Sequence, residues 1–147
     1  MNRVMLCKKN FDPYQILSDF NSKIKLPGIS GAQSVFIGFM RNTNNERDDI
    51  ISMSLDFYPN MTNGYLKNLS KNSIQKYKLD NVLIVHRVGD VVPGECLVIV
   101  SCWSKHRKVS NKAVSDILED LKHNAPLWKK EFYSDNTFKW VEENTQI

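Results

Sequence analysis

The order of apolar and polar residues along the chain predicts strands interrupted by helices. Residues 96–103 form the clearest strand, because both its even and its odd positions are mostly apolar and suit a sheet covered on both faces. A helix follows, with apolar residues at the spacing of one buried face: Val114, Ile117, Leu118 and Leu121. We expect Ser110 to cap this helix, and Pro126 to end it near His123 or Asn124.

The same reasoning predicts the other elements. Further helices are expected to begin at Asp12-Pro13 and after Pro59-Asn60, the second with a buried stripe of Met61, Tyr65, Leu66 and Leu69. Strands are expected in three further runs: 32–40, 50–58 and 81–86. Residues 42–49 are polar and predict a mobile loop, and residues 89–95 predict a turn. The predicted order is α β β α β β α, followed by an extended tail.

Length and composition favour one α+β domain of 147 residues, with helices packed against a sheet. We expect flexible termini at 1–10 and 142–147. No apolar run of about 18 residues occurs, so no membrane contact is predicted. The first residues are too few and too charged for a secretory signal, and the 3 cysteines suit reduced, buried positions. We therefore expect a cytoplasmic protein.

The charged residues favour a small anionic substrate. The net charge of +4 is mild and the basic residues are interleaved with acidic ones, so no nucleic-acid partner is expected. The sequence contains no phosphate loop, dinucleotide fingerprint, nucleophile elbow or cysteine and histidine spacing typical of zinc sites. We therefore expect neither a metal nor a cofactor. The residues of chemical interest are cationic, and such side chains bind phosphate well: Arg41, His106, Arg107, Lys122, Lys129, Lys130 and Lys139.

These residues also have ordinary structural explanations. Lys122 falls in the last turn of a predicted helix, where a cation offsets the helix dipole. His86 ends an apolar strand and is more often structural than catalytic there, and Trp128 and Trp140 more often pack than stack. A non-catalytic dimeric module that binds anions or nucleic acid is therefore the alternative to an enzyme. A dimeric interaction protein that has lost its activity is a third possibility.

Several short segments occur in an order that resembles the large, catalytic subunit family of molybdopterin synthase. The resemblance extends over roughly residues 31–140. The segments are Gly31-Ala32, Phe36-Ile37-Gly38, Arg41-Asn42, Leu55 to Thr62, His86 to Gly89, Pro93-Gly94-Glu95, Ser104 to Arg107, and Pro126 to Glu131. Each segment alone is weak evidence for the family, but the occurrence of all of them in the family's order makes the resemblance specific.

The resemblance implies an α/β hammerhead-type fold, a homodimer and a sulfurtransferase. In this family a small ubiquitin-like subunit inserts a C-terminal Gly-Gly tail that carries a thiocarboxylate. Its sulfur passes to cyclic pyranopterin monophosphate, twice, and forms the dithiolene of molybdopterin. The two essential lysines of the family match Lys122 and Lys129. The predicted substrate-binding set comprises Phe36, Phe39, Met40, Arg41, His106, Arg107, Lys130 and Glu131.

Helix length gives one geometric expectation. Ser110 and Lys122 lie about 18 Å apart along a helix, so one chain would hold His106 far from Lys122. A two-fold dimer would bring His106 and Arg107 of one chain to the two lysines of the other, as a composite site. Ser110 and Asn111 depart from the Ala-Phe that is usual in the family. Each lysine remains open as acid, base, electrostatic stabiliser or transient nucleophile.

Overall fold

The fold consists of two sheets with helices packed on one of them. The computed structural model describes residues 1–24 and 27–141. The elements in chain order are β1 (Asn2–Cys7), α1 (Pro13–Lys23), β2 (Ala32–Phe39), β3 (Ile50–Phe57), α2 (Pro59–Tyr77), β4 (Asn81–Arg87), β5 (Gly89–Val91), β6 (Cys96–Ser104), α3 (Arg107–Asn124), β7 (Leu127–Tyr133) and β8 (Phe138–Trp140). The expected single α+β domain is confirmed.

The first sheet is covered on both faces. Its order is β1-β4-β6-β2, with β1 parallel to β4 and the other neighbours antiparallel. Ile84 and Val100 pack on one face with the apolar residues of α2 and α3. Leu83 and Ile99 pack on the opposite face with Phe20 of α1. The double coverage expected for the 96–103 strand is therefore confirmed.

The second sheet has the order β5-β3-β7-β8 and is antiparallel throughout. Its inner face contributes a separate small core made of Met40, Ile50, Met53, Leu55, Val91 and Tyr133, with Leu97 of β6 packed against it. This contact joins the two sheets, because Leu97 belongs to the first one. The second sheet carries the lysine-containing strand β7.

Several predicted boundaries were wrong because pairing partners far along the chain decide them. The segment predicted to be flexible at 1–10 contains β1, which pairs with β4 from Asn2↔Val82 to Cys7↔Arg87. The predicted turn at 89–95 contains β5. The predicted extended tail consists of two paired strands, β7 and β8. The expectation for 142–147 lies outside the described residues.

Individual side chains also depart from the pattern. Met61 is 57% exposed, because the buried stripe of α2 runs through its neighbour Thr62 and Leu66. The helix α3 begins at Arg107 with His106 as its N-cap, so Ser110 is not the cap. A bulge opposite Gly38 and Phe39 leaves Leu97 as the extra residue of β6. Cys96 therefore packs with Leu83 and Ile99 and not with Val100 as the alternation predicted.

In the described part of the chain, no helix is long and apolar enough to cross a membrane. The longest, α2, has 19 residues, and it alternates apolar side chains with lysine, asparagine and serine. Its apolar side chains serve to cover the first sheet.

Candidate functional site

A cavity of about 610 Å³ lies where the C-terminal end of α3 meets both sheets. Seven of the residues predicted to form the site line it: Phe36, Phe39, Met40, Arg41, Lys122, Lys129 and Glu131. The aromatic and apolar side chains come from β2, and the cations come from the strand end, from α3 and from β7. The fold thus brings together residues that are up to 95 positions apart in the sequence.

Lys122 and Lys129 reach the cavity from two different elements. Lys122 lies in the last turn of α3, which ends at Asn124 with Ala125 as its C-cap, as the position of Pro126 predicted. Lys129 lies on β7 opposite Leu55 of β3. The tight connection between α3 and β7 is what allows both side chains to line one cavity.

Burial lowers the pKa of Lys129, because a desolvated ammonium is less stable than a hydrated one. The positive charge of Lys122 lowers this pKa further, whereas the carboxylate of Glu131 opposes the shift. Lys129 therefore gives up its proton more readily than an ordinary surface lysine. An amine of this kind can stabilise a developing negative charge and can also exchange a proton with a reacting group.

His86 is a cavity residue that the sequence interpretation took as structural. It lines the cavity from the end of β4, and its Nδ1 lies 2.7 Å from the carbonyl oxygen of Arg87. A carbonyl only accepts, so Nδ1 carries the hydrogen and Nε2 is left as an acceptor. Burial lowers the pKa of His86 to about 4, and the charge of Lys129 adds to the effect. A neutral imidazole thus stands among the cations of the cavity.

The signal for His86 was present in the sequence. The segment from His86 to Gly89 is one of those that carry the family resemblance. Three further lining residues, Thr43, Glu119 and His123, had no comparable signal, because loop and helix-end positions show no periodicity.

The cavity lining of a single chain does not include His106, Arg107 or Lys130. His106 and Arg107 are exposed at the start of α3. Arg107 opens α3 and Lys122 lies in its last turn, so about 22 Å of helix separates them. Lys130 extends from the opposite face of β7, where its Nζ lies 3.9 Å from the centre of the Phe138 ring.

The two tryptophans predicted to pack are both partly exposed. Trp128 is 45% exposed and meets Tyr58 edge to face, with ring centres 5.5 Å apart. Trp140 is 44% exposed, and its ring centre lies 5.4 Å from Nζ of Lys130. Both lie near strand ends of the second sheet, and Trp128 also lines the cavity.

The unusual Ser110 and Asn111 form a polar contact instead of an aromatic one. Ser34 of β2 donates to the hydroxyl of Ser110 at 2.8 Å and also contacts the amide oxygen of Asn111. Ser110 in turn donates to the carbonyl oxygen of Arg107 at 3.1 Å. These bonds connect the start of α3, which carries His106 and Arg107, to the edge strand β2.

Within residues 1–24 and 27–141, no group of three or more His, Cys, Asp or Glu side chains is placed to hold a metal ion. The carboxylates and imidazoles that line the cavity are Glu119, Glu131, His86 and His123. His86 and Glu131 already have protein partners, Arg87 and Asn44.

The known proteins that resemble this chain in sequence and those that resemble it in structure point to the same family. The family model described as MoaE protein matches residues 7–124. The molybdopterin synthase catalytic subunit of Pseudomonas aeruginosa is 36% identical over 132 residues, which cover 90% of this chain and 85% of that protein. A molybdopterin biosynthesis MoaE protein from Burkholderia ambifaria has a similar structure, with a TM-score of 0.79 and 27% identity over 100% of this chain and 93% of that one.

A more distant structure shares the fold. It is a complex of subunits 1 and 2 of molybdopterin-converting factor from Helicobacter pylori, with a TM-score of 0.78 and 22% identity over 97% of this chain and 92% of that one. The family match covers most of the chain, and the Pseudomonas relative matches along nearly its whole length. The chain therefore belongs to the MoaE protein family.

Proposed function

We propose that this chain is the catalytic subunit of a molybdopterin synthase. It takes sulfur from the C-terminal thiocarboxylate of a small ubiquitin-like subunit and transfers it to cyclic pyranopterin monophosphate, forming the dithiolene of molybdopterin. One observation carries the proposal: Lys122 and Lys129, from separate elements, line one cavity together with Arg41. Both reactants are anionic, so a cavity with these three cations suits them.

The chemistry needs both charge stabilisation and proton transfer. The thiocarboxylate sulfur forms a bond to a side-chain carbon of the pterin while the bond from that carbon to oxygen breaks, and this oxygen leaves on the phosphate or, once protonated, as water. A further water then attacks the resulting thioester. The bond between sulfur and the acyl carbon breaks, so that sulfur stays on the pterin and the tail leaves as a carboxylate, with release of protons. The oxyanion of this step lies close to the lysines, where fixed donors stabilise it. Lys129, whose pKa burial lowers, accepts one of the protons released.

The other predicted residues that line the cavity are also placed to serve this reaction. Arg41 reaches the cavity from the end of β2 and supplies a forked donor for the phosphate. Phe36, Phe39 and Met40 line the same wall and offer an apolar surface to the pterin ring. Glu131 holds the neighbouring loop through Asn44, whose Nδ2 donates to Oε1 at 3.1 Å.

The proposed assembly is a homodimer of hammerhead-type subunits, each with one small subunit, so a heterotetramer. In it, His106 and Arg107 of one chain complete the cavity of the other by binding the substrate phosphate. Their exposure at the start of α3, about 22 Å along the helix from Lys122, supports this arrangement. Lys130 is given no role in the reaction, because its side chain extends from the face of β7 opposite the cavity. The domain is proposed to span residues 1–147, and the free cysteines Cys7, Cys96 and Cys102 support a cytoplasmic location.

Reconstitution tests the function directly. The purified chain is mixed with a thiocarboxylated small subunit and cyclic pyranopterin monophosphate, and dithiolene product is measured. We expect Lys122→Ala and Lys129→Ala each to lower turnover by about 10²- to 10³-fold while the small subunit still binds. Lys67→Ala, which removes an exposed lysine of α2, serves as the matched control and should keep full activity.

Two outcomes would contradict the proposal. Full turnover by Lys129→Ala would show that Lys129 takes no part in the reaction. Pterin binding by the wild type without any product would instead favour the non-catalytic anion-binding module.

A further inference from the structure

The loop between β2 and β3 supplies part of the cavity wall. Three of its residues, Arg41, Thr43 and Asn44, line the cavity. The sequence predicted a mobile loop here, because the segment is polar and has no apolar anchor. In the structure, side-chain contacts join this loop to the β7–β8 hairpin.

Arg47 is the centre of these contacts. Its Nε and Nη2 each lie 2.7 Å from a carboxylate oxygen of Asp49, in a forked ion pair. Nη2 also lies 3.0 Å from Oδ2 of Asp135, in the turn between β7 and β8. Nη1 donates to the hydroxyl of Thr137 at 3.3 Å, and the guanidinium lies 3.9 Å from the centre of the Tyr133 ring. Arg47 thus binds the loop to the β7–β8 hairpin.

The backbone of Arg47 is coupled to the cavity through Asn44. The side-chain oxygen of Asn44 accepts from the amide of Arg47 at 2.8 Å, and the amide of Asn44 donates to the carbonyl oxygen of Arg47 at 2.8 Å. Nδ2 of the Asn44 side chain donates to Glu131 of β7, which lines the cavity together with Lys129. Asn44 therefore connects Arg47 to the wall that holds the reactants.

A second contact keeps the hairpin and the loop in register. Ser134 donates its hydroxyl to Oδ2 of Asp49 at 2.6 Å, and its amide donates to the carbonyl oxygen of Asp49 at 3.1 Å. Asp49 is thus held by Arg47 from the loop side and by Ser134 from the hairpin side. The whole arrangement consists of partly exposed ion pairs and hydrogen bonds.

We propose that Arg47 is a positioning residue for the sulfur-transfer site: by binding Asp49 and Asp135 it holds the 41–44 segment, with Arg41 and Asn44, against the cavity. Only the kinetic test of this inference depends on the proposed sulfur-transfer function. Arg47 does not line the cavity, so we assign it no contact with the reactants. Its effect on the reaction is expected through substrate binding.

The kinetic test separates binding from turnover. We expect Arg47→Ala to raise KM for cyclic pyranopterin monophosphate about tenfold and to leave kcat within about twofold, because the lysines remain in place. Arg47→Lys, which keeps the charge but loses the fork, should recover part of the loss. Arg3→Ala, at an exposed arginine of β1, is the matched control and should change neither constant.

Salt gives a further signature. Arg47 is 30% and Asp135 51% exposed in their side chains, so added salt should screen their attraction. The difference in KM between wild type and Arg47→Ala should therefore narrow as ionic strength rises. Asp135→Asn, a milder change at a more exposed position, should raise KM in the same direction if Arg47→Ala fails to fold.

Amide hydrogen exchange tests the inference without any reaction. The amides of Asn44 and Arg47 should exchange faster in Arg47→Ala than in the wild type, whereas the central strand β4 should keep its protection. Unchanged exchange at Asn44 or an unchanged KM would overturn the positioning role. If the wild type makes no dithiolene but the loop amides still respond, the proposed function fails and the inference about the loop stands.

Discussion

Mixed dimers provide the sharpest test of how the site is assembled. The first variant is His106→Ala/Arg107→Ala, and the second is Lys122→Ala. In one chain Arg107 and Lys122 lie near opposite ends of α3, about 22 Å apart along its axis, which is longer than a pterin monophosphate. If two chains share each site, a mixed dimer has one site with both mutated ends and one site with both ends intact.

The expected magnitude follows from counting sites. Each variant alone has no intact site and should be inactive. Random exchange of equal amounts gives mixed molecules in about half of the dimers, each with one working site of two, so about one quarter of wild-type activity should return. A mixed dimer purified through two different affinity tags should show about half of the wild-type activity per dimer.

The assay measures dithiolene formation after co-expression of the two tagged chains with a saturating amount of thiocarboxylated small subunit. Lys122→Ala paired with Lys129→Ala is the matched control. Both lysines line the same cavity of one chain, so every site of that mixed dimer lacks one of them. No recovery is expected in the control. Inactivity of the first pair, or equal recovery in both pairs, would refute the shared site.

Three smaller predictions follow from single side chains. The unfolded chain takes up a proton at His86 near pH 6.5 and the folded chain only near pH 4, so stability should fall with decreasing pH between these values, by about 3 kcal/mol at most. The stability of His86→Gln, measured by urea unfolding, should not fall in this way between these pH values. A Cβ at Gly38 would lie 2.8 Å from Val98 and 3.1 Å from the Phe36 ring, so Gly38→Ala should displace that ring and raise KM for the pterin. Leu55 of β3 is 1% exposed, so changing it to alanine should lower the free energy of unfolding by about 2–5 kcal/mol, measured by chemical denaturation.

Local signals predicted the parts of the fold that depend on neighbouring residues. The strand β6 and the end of α3 followed from alternation, helical spacing and the position of Pro126. These features need only the conformational preferences of adjacent residues and the requirement to bury an apolar face. Lys122 was accordingly expected in the last helical turn, where the structure has it.

Strands β1, β5 and β7 did not follow from the same signals. The sequence of β7, Leu-Trp-Lys-Lys-Glu-Phe-Tyr, mixes charged and aromatic residues without a clean alternation. It becomes a strand because β3 offers a partner from Ile50 to Phe57, more than seventy residues earlier. The strand β1 likewise exists because β4 leaves its edge open to a parallel partner.

By itself, the sequence determined the main elements, their order and the residue types available for chemistry, because periodicity and residue type are written in short stretches of chain. Only the tertiary structure decided that Lys129 and Lys122 share a cavity with Arg41 and His86, and that Lys130 faces away from it. The reason is geometric: neighbours on a strand point to opposite faces, and which face borders the cavity depends on how the two sheets pack.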